Sequence, residues 1–319
     1  MAWRNIGLIQ YKCKDVNSFT SDAGIRIRRA IYPVVRTALK LNLGGRITIE
    51  NYPKLEKGTP YIFAATHGFV DEVQLILSVL DRNAYSLMGT TEQLEHNPMI
   101  YANWLTGIIY VNRFSRESRS SAVPKMKRIL ESGSSVLIFP EGGWNNTENL
   151  PVMQLFSSPW LTAKETGCKI VPLSCFYEYG TKDYYVTFDE PVDVSEMEKD
   201  EALSVLRDKM ATLWWNLVEK YSTPLKRREL GDDYKTDYFR ERCDEYLQLK
   251  WTKDVFDEEL TQYFDKRHPV PKQIRASFDD VVITHRNASI FSDILIRREE
   301  DKKYDFTKYM HENWNQTIG

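Results

Sequence analysis

The sequence predicts an α/β fold: a mixed, partly parallel sheet flanked by helices, with an N-terminal amphipathic helical segment and a C-terminal helical appendage. Three observations predict it. Short runs that are nearly all apolar, or that alternate, recur between segments with helical spacing, which is the pattern of strands joined by crossover helices. Chemically capable polar residues follow three of those runs, where open α/β sheets collect their sites. After Pro224 the texture changes to dense mixed charge with scattered aromatics and few long apolar runs. The implied organisation is an amphipathic segment over 1–45, a central domain over 46–224 and a charged helical appendage over 225–319.

Ser21–Leu43 has helical spacing, with Ile25, Ile31, Val34, Val35, Ala38, Leu39 and Leu41 set among Arg26, Arg28, Arg29, Arg36 and Lys40. Pro33 inside it predicts a kink or a split. Gly44-Gly45 ends it, and the alternating Arg46–Glu50 reads as a strand. Pro60–His67, "PYIFAATH", is a nearly continuous apolar run and so a buried strand that delivers His67 at its carboxyl end. Glu72–Leu80 is helical. Gly107–Arg113, "GIIYVNR", is a strand ending on a base, and Ser120–Gly133 a helix stopped by glycine. Ser135–Gly143, "SVLIFPEGG", runs from a buried strand into a glycine-containing loop. Ser158–Gly167 is a helix, Lys169–Tyr179 and Asp183–Val194 are strands, and Asp200–Tyr221 is a long helix. Trp214-Trp215 reads as core or interface packing.

Composition bounds the function. The 319 residues give ample chain for a core, and 28% charged with 42% hydrophobic residues is globular rather than disordered. A formal net charge of -2 excludes a global basic field for nucleic acid. The four cysteines, Cys13, Cys168, Cys175 and Cys243, have no CxxC spacing, and no Cys/His cluster points to a metal. Met1–Tyr11 lacks the apolar run of a secretory signal, so free thiols in a cytoplasmic setting are expected. No stretch approaches the roughly 18–20 apolar residues of a spanning helix, so membrane contact is expected to be peripheral.

Three strand ends carry chemistry: His67 with Asp71 and Glu72, Arg113, and Glu141-Gly142-Gly143. Each alone has a bland reading: a structural histidine, a solvated arginine, a turn. Together they describe a general-base site. A carboxylate beside the imidazole fixes its tautomer and stabilises the imidazolium that forms. There is no GxSxG elbow, so the substrate brings its own hydroxyl or amine to an activated acyl carbon. Arg113 is then a candidate clamp for an anionic acceptor. Glu141 with Gly142 and Gly143 is a candidate for binding the acceptor, Glu141 holding its hydroxyls, while backbone N–H groups of this turn face the oxyanion.

The four stretches "THGFVDE", "GIIYVNR", "FPEGG" and "IVPLS" stand in the order and approximate spacing of the four blocks of the glycerolipid acyltransferase family, the 1-acylglycerol-3-phosphate acyltransferase-like proteins, and from about Ile25 to Tyr221 the chain resembles that family. The resemblance implies acyl transfer from a thioester, acyl-CoA or acyl carrier protein, to a lysolipid hydroxyl, with no bound cofactor or metal. It implies His67 as base, Arg113 on acceptor phosphate, and block three at Phe139, Pro140, Glu141 and Gly142. Block four is Val171-Pro172. It also turns the basic helix Ile25–Leu43, with Trp3, into a candidate for lying on an anionic bilayer.

Two departures matter. The family's acid, five positions after the histidine and usually Asp, is here Glu72, preceded by Asp71. Register favours Glu72; an early helical wind would bring Asp71 to His67 instead. The family's third block commonly continues Thr-Arg, and here it continues Gly143-Trp144. The lost arginine weakens the case for a phosphate acceptor. Arg116, Arg119 and Lys125 lie nearby, but a solvated basic face is their expected role. An N-acyltransferase with an amine acceptor is the second enzymatic reading. A catalytically silent lipid-binding protein is the third.

Overall fold

The computed structural model describes residues 21–69, 71–88, 107–111, 116–143, 145, 151–178 and 181–222. The chain divides into two compact units, 1–144 with 155–222, and 145–154 with 223–319. The expected C-terminal appendage lies outside the described residues, as do Arg113 and Trp144. All the described helices and strands belong to the first unit.

Its elements are α1 (Asp22–Leu43), β1 (Arg46–Asn51), β2 (Ile62–Ala65), α2 (Glu72–Val79), β3 (Ala84–Met88), β4 (Ile108–Tyr110), α3 (Arg116–Ser120), α4 (Ala122–Glu131), β5 (Ser135–Ile138), α5 (Ser158–Thr166), β6 (Ile170–Glu178), β7 (Asp183–Phe188) and α6 (Lys199–Tyr221). The described strands form one seven-stranded sheet in the order β1-β7-β6-β2-β5-β3-β4. β6, β2, β5, β3 and β4 run parallel. β7 returns antiparallel to β6, and β1 closes the edge parallel to β7. The mixed, partly parallel sheet expected from the sequence is the one observed.

Alternation along the strands builds two cores. Phe63 and Ala65 join Leu137, Val171, Leu173 and Phe188 beneath α2 and the end of α1. Ile62 and Ala64 point the other way, level with Val136, Ile138 and Ile170, on the face that α4, α5 and α6 cover. Phe63, Phe188, Leu75 and Ile76 are fully buried, each contributing about 1.5–3 kcal/mol by leaving water.

Several elements differ from the sequence reading. β3 was not predicted; "AYSLM" is too short and too mixed to stand out beside its neighbours. The helix read over Ser120–Gly133 is α4, and the short α3 before it was not predicted. Pro33 neither splits nor ends α1, which runs unbroken for 22 residues from a Ser21 cap whose hydroxyl accepts from Gly24 N–H. The strand read to Val194 stops at Phe188, and only Val192 continues as a bridge to Ile170.

Three basic residues of α1, Arg28, Arg29 and Arg36, are bonded to other parts of the fold. Arg28 is buried, donates to the Ala84 carbonyl at 2.7 Å and lies over the rings of Tyr85 and Tyr32. Burial pushes its pKa down to about 10, so it remains a cation at neutral pH. Arg29 donates to the Ser132 carbonyl, Arg36 to that of Leu80, and Tyr32 to that of Leu77. These groups fasten the helix to β3, to α2 and to the end of α4. What faces outward is an apolar line, Ile27, Val34 and Leu41, seven residues apart and 52%, 71% and 76% exposed. Arg26 and Lys40 are exposed on the same helix.

Candidate active site

The site grows from strand register. Ala64 of β2 is paired with Ile138 of β5. His67 and Glu141 each lie three residues beyond that pair, so two parallel strands deliver them side by side at the carboxyl edge. The carboxylate of Glu141 accepts from the His67 backbone N–H at 2.9 Å. The side chain of Glu141 is fully buried. Its geometry is that of a strut between the two strand ends.

His67 then turns its ring over that of Phe139, with centroids 4.2 Å apart and planes at 28°. Nδ1 meets Glu72 Oε2 at 2.6 Å. The other oxygen, Oε1, accepts from Gly68 N–H, also at 2.6 Å. Glu72 is 1% exposed and His67 17%. A carboxylate only accepts, so Nδ1 carries the proton and Nε2 is left as the basic nitrogen. Glu72 opens α2, where first-turn N–H groups add partial positive charge.

The question of which acid serves the histidine has a geometric answer. Glu72 reaches the ring, whereas Asp71 turns aside and accepts from the Tyr184 hydroxyl at 2.8 Å. The loop stays tight enough that α2 begins only at Glu72, and the early wind that would favour Asp71 does not occur.

Block three forms a turn closed by Gly142 N–H on the Phe139 carbonyl at 3.0 Å. Gly142 has φ +74°, and a Cβ there would lie 2.3 Å from the Phe156 ring, so only glycine fits. Gly143 is different: a Cβ there meets no atom of the described residues within 4 Å. Lys125 is a correction. It is buried, not on a solvated face, and its ammonium donates to the Tyr110 carbonyl at the end of β4 at 3.2 Å. Burial lowers its pKa. Arg119 is exposed. Sequence reasoning missed Phe139 as the ring beneath His67, and Tyr184, which nothing in the spacing ties to residue 71. Behind Glu72 lies Cys175, whose thiol burial pushes well up, with the Glu72 carboxylate adding to it, so it stays protonated. Among the described residues no group of three His, Cys, Asp or Glu is placed to hold a metal ion.

The sequence profile of the family described as Acyltransferase matches residues 46–176, which run from β1 through β6 and take in His67, Glu72 and Glu141. The similarity to that family is carried by this segment. The 1-acyl-sn-glycerol-3-phosphate acyltransferase of Borreliella burgdorferi is 30% identical across 33% of this chain and 46% of its own length, so the chain spans about half of that relative. The crystal structure of the 1-acyl-sn-glycerophosphate (LPA) acyltransferase of Thermotoga maritima superposes with a TM-score of 0.51 at 17% identity, covering 62% of this chain and 84% of that one. The described domain, a mixed sheet flanked by helices, therefore shares its fold with that structure.

Proposed function

We propose that the protein transfers a fatty acyl group from a thioester, acyl-CoA or acyl carrier protein, to the hydroxyl of a lysophospholipid or related glycerolipid. The observation that carries this is the 2.6 Å contact between His67 Nδ1 and Glu72 Oε2 at the carboxyl edge of β2, beside the block-three turn. Nε2 takes the acceptor hydroxyl proton as its oxygen attacks the thioester carbonyl carbon. The carbon–sulfur bond breaks, and the leaving thiolate takes the proton from the imidazolium. Glu72 holds the ring and stabilises the cation. The Gly142 N–H is taken by the Phe139 carbonyl, so the backbone at Gly143 is the candidate oxyanion contact. Arg113 is the candidate acceptor clamp. An amine acceptor is the second reading, favoured by Trp144 where the family commonly has arginine.

Contact with the bilayer is proposed to be peripheral and at the cytoplasmic surface. No described helix is long and apolar enough to cross a membrane. The outward line Ile27–Val34–Leu41, with Arg26 and Lys40 exposed beside it, suits an anionic lipid surface.

The test is thiol release by the full chain with liposomes, long-chain acyl-CoA or acyl carrier protein as donor, and lysophosphatidic acid or an amine as acceptor. His67→Ala is expected to lower turnover by about 100-fold or more, as loss of a general base does. Turnover unchanged by His67→Ala would sink the mechanism. Release that needs the amine would move the reaction to N-acylation. Tight liposome binding without turnover would leave a silent lipid-binding protein.

A further inference from the structure

Asp71 and Tyr184 have no part in the chemistry above, yet they are joined at its edge. Tyr184 lies near the start of β7, paired with Tyr177 of β6. Its ring stacks on that of Tyr177 at 5.1 Å, and Phe69, from the loop after His67, lies 6.2 Å away. The Tyr184 hydroxyl donates to Asp71 Oδ2 at 2.8 Å. Asp71 is the N-cap residue of α2, where an aspartate ordinarily turns its side chain to the N–H groups of the first turn. Here it makes no such cap. Its carbonyl still takes Leu75 N–H at 2.8 Å. Asp71 is therefore a joint: its backbone starts the helix while its side chain ties that start sideways to β7.

The next residue is Glu72. Its carboxylate must reach His67 Nδ1 and Gly68 N–H together, at 2.6 Å each, through a side chain one methylene longer than aspartate. How far that side chain must reach is set by where α2 begins. We propose that Tyr184 and Asp71 are positioning residues whose bond holds the start of α2 at the distance a glutamate, rather than an aspartate, spans to His67. The proposal rests on the reading of His67 as the base, and it assigns the chain's HGFVDE departure a compensating partner on a distant strand.

The test uses the full chain and has two readouts. One is the proton resonance of His67 Nδ1–H in histidine-labelled protein, assigned by its loss in His67→Ala and measured without substrate. The other is steady-state kinetics with long-chain acyl-CoA and lysophosphatidic acid in vesicles. Tyr184→Phe keeps the stacked ring and removes only the hydroxyl. It is expected to shift or exchange-broaden the resonance and to lower kcat roughly tenfold with both KM values unchanged. Asp71→Asn keeps an oxygen for the hydroxyl and should cost less than Asp71→Ala. The double variant Tyr184→Phe/Asp71→Ala should be no worse than either single one, because the two act as a unit. Glu72→Asp should cost less in the Tyr184→Phe background, where the helix start is released. If Tyr184→Phe does not fold, Asp71→Leu takes its place in the same test. An unmoved resonance, a kcat within twofold of the parent, or a change confined to KM would overturn the proposal. Full turnover in His67→Ala would instead overturn the base assignment, and the resonance would still decide whether the tether holds the ring.

Discussion

At the scale of the residue, Glu141 shows how one carboxylate holds two strand ends together. Its oxygen sits on the His67 N–H in a place closed to water. Glu141→Gln keeps an acceptor there, whereas Glu141→Ala strands a buried donor. The alanine variant is expected to lose about 2 kcal/mol of stability, and the glutamine variant much less, as measured by urea unfolding. Equal losses would mean that the negative charge, not the hydrogen bond, matters at this position. The site was legible in the sequence to the extent that its parts obey register: His67 and the block-three glutamate each follow a buried strand, and Glu72 stands at its family spacing. The contacts across the sheet were not legible. The ring of Phe139 under His67 and the tie from Asp71 to Tyr184 depend on which strands become neighbours, and local spacing carries no signal of that.

At the scale of the element, α1 is fixed more firmly than an amphipathic pattern implies. The sequence shows its charges but not which ones turn inward. Arg28, the inward cation, is clasped between the rings of Tyr85 and Tyr32 and bonded to the Ala84 carbonyl. A Cβ on Gly107, just before β4, would lie about 2 Å from its guanidinium. Arg28→Met is expected to cost roughly 2–3 kcal/mol, since it removes a charged hydrogen bond and two ring contacts at once. Thermal unfolding of the full chain would check this, and a loss under about 0.5 kcal/mol would show the clasp to be dispensable. Strand β3 shows the converse. It escaped the sequence reading because Ser86 interrupts its apolar run, yet it sits buried between β5 and β4.

At the scale of the whole molecule, one face of the first unit combines a rigid mount with an outward apolar line. Val34→Asp/Leu41→Asp should lower partition onto anionic vesicles by roughly tenfold or more, with thermal stability unchanged because both side chains already face water. Flotation with and without added salt would measure it. Undiminished partition would place the lipid contact elsewhere on the chain. The sheet topology has a further consequence, for how the chain acquires its shape. β1 finds its described partner only in β7, with Arg46 and Asp183 paired across 137 residues of sequence. β2 likewise waits for β5 and β6. A chain emerging from the ribosome therefore carries β2 as an unpartnered, aggregation-prone ribbon until β5 has been synthesised, and β1 until the β6–β7 hairpin has been. Closure of the β1 edge is then a late event, whereas the histidine can meet Glu72 at once and Glu141, 74 residues on, as soon as β5 and the turn after it have been made.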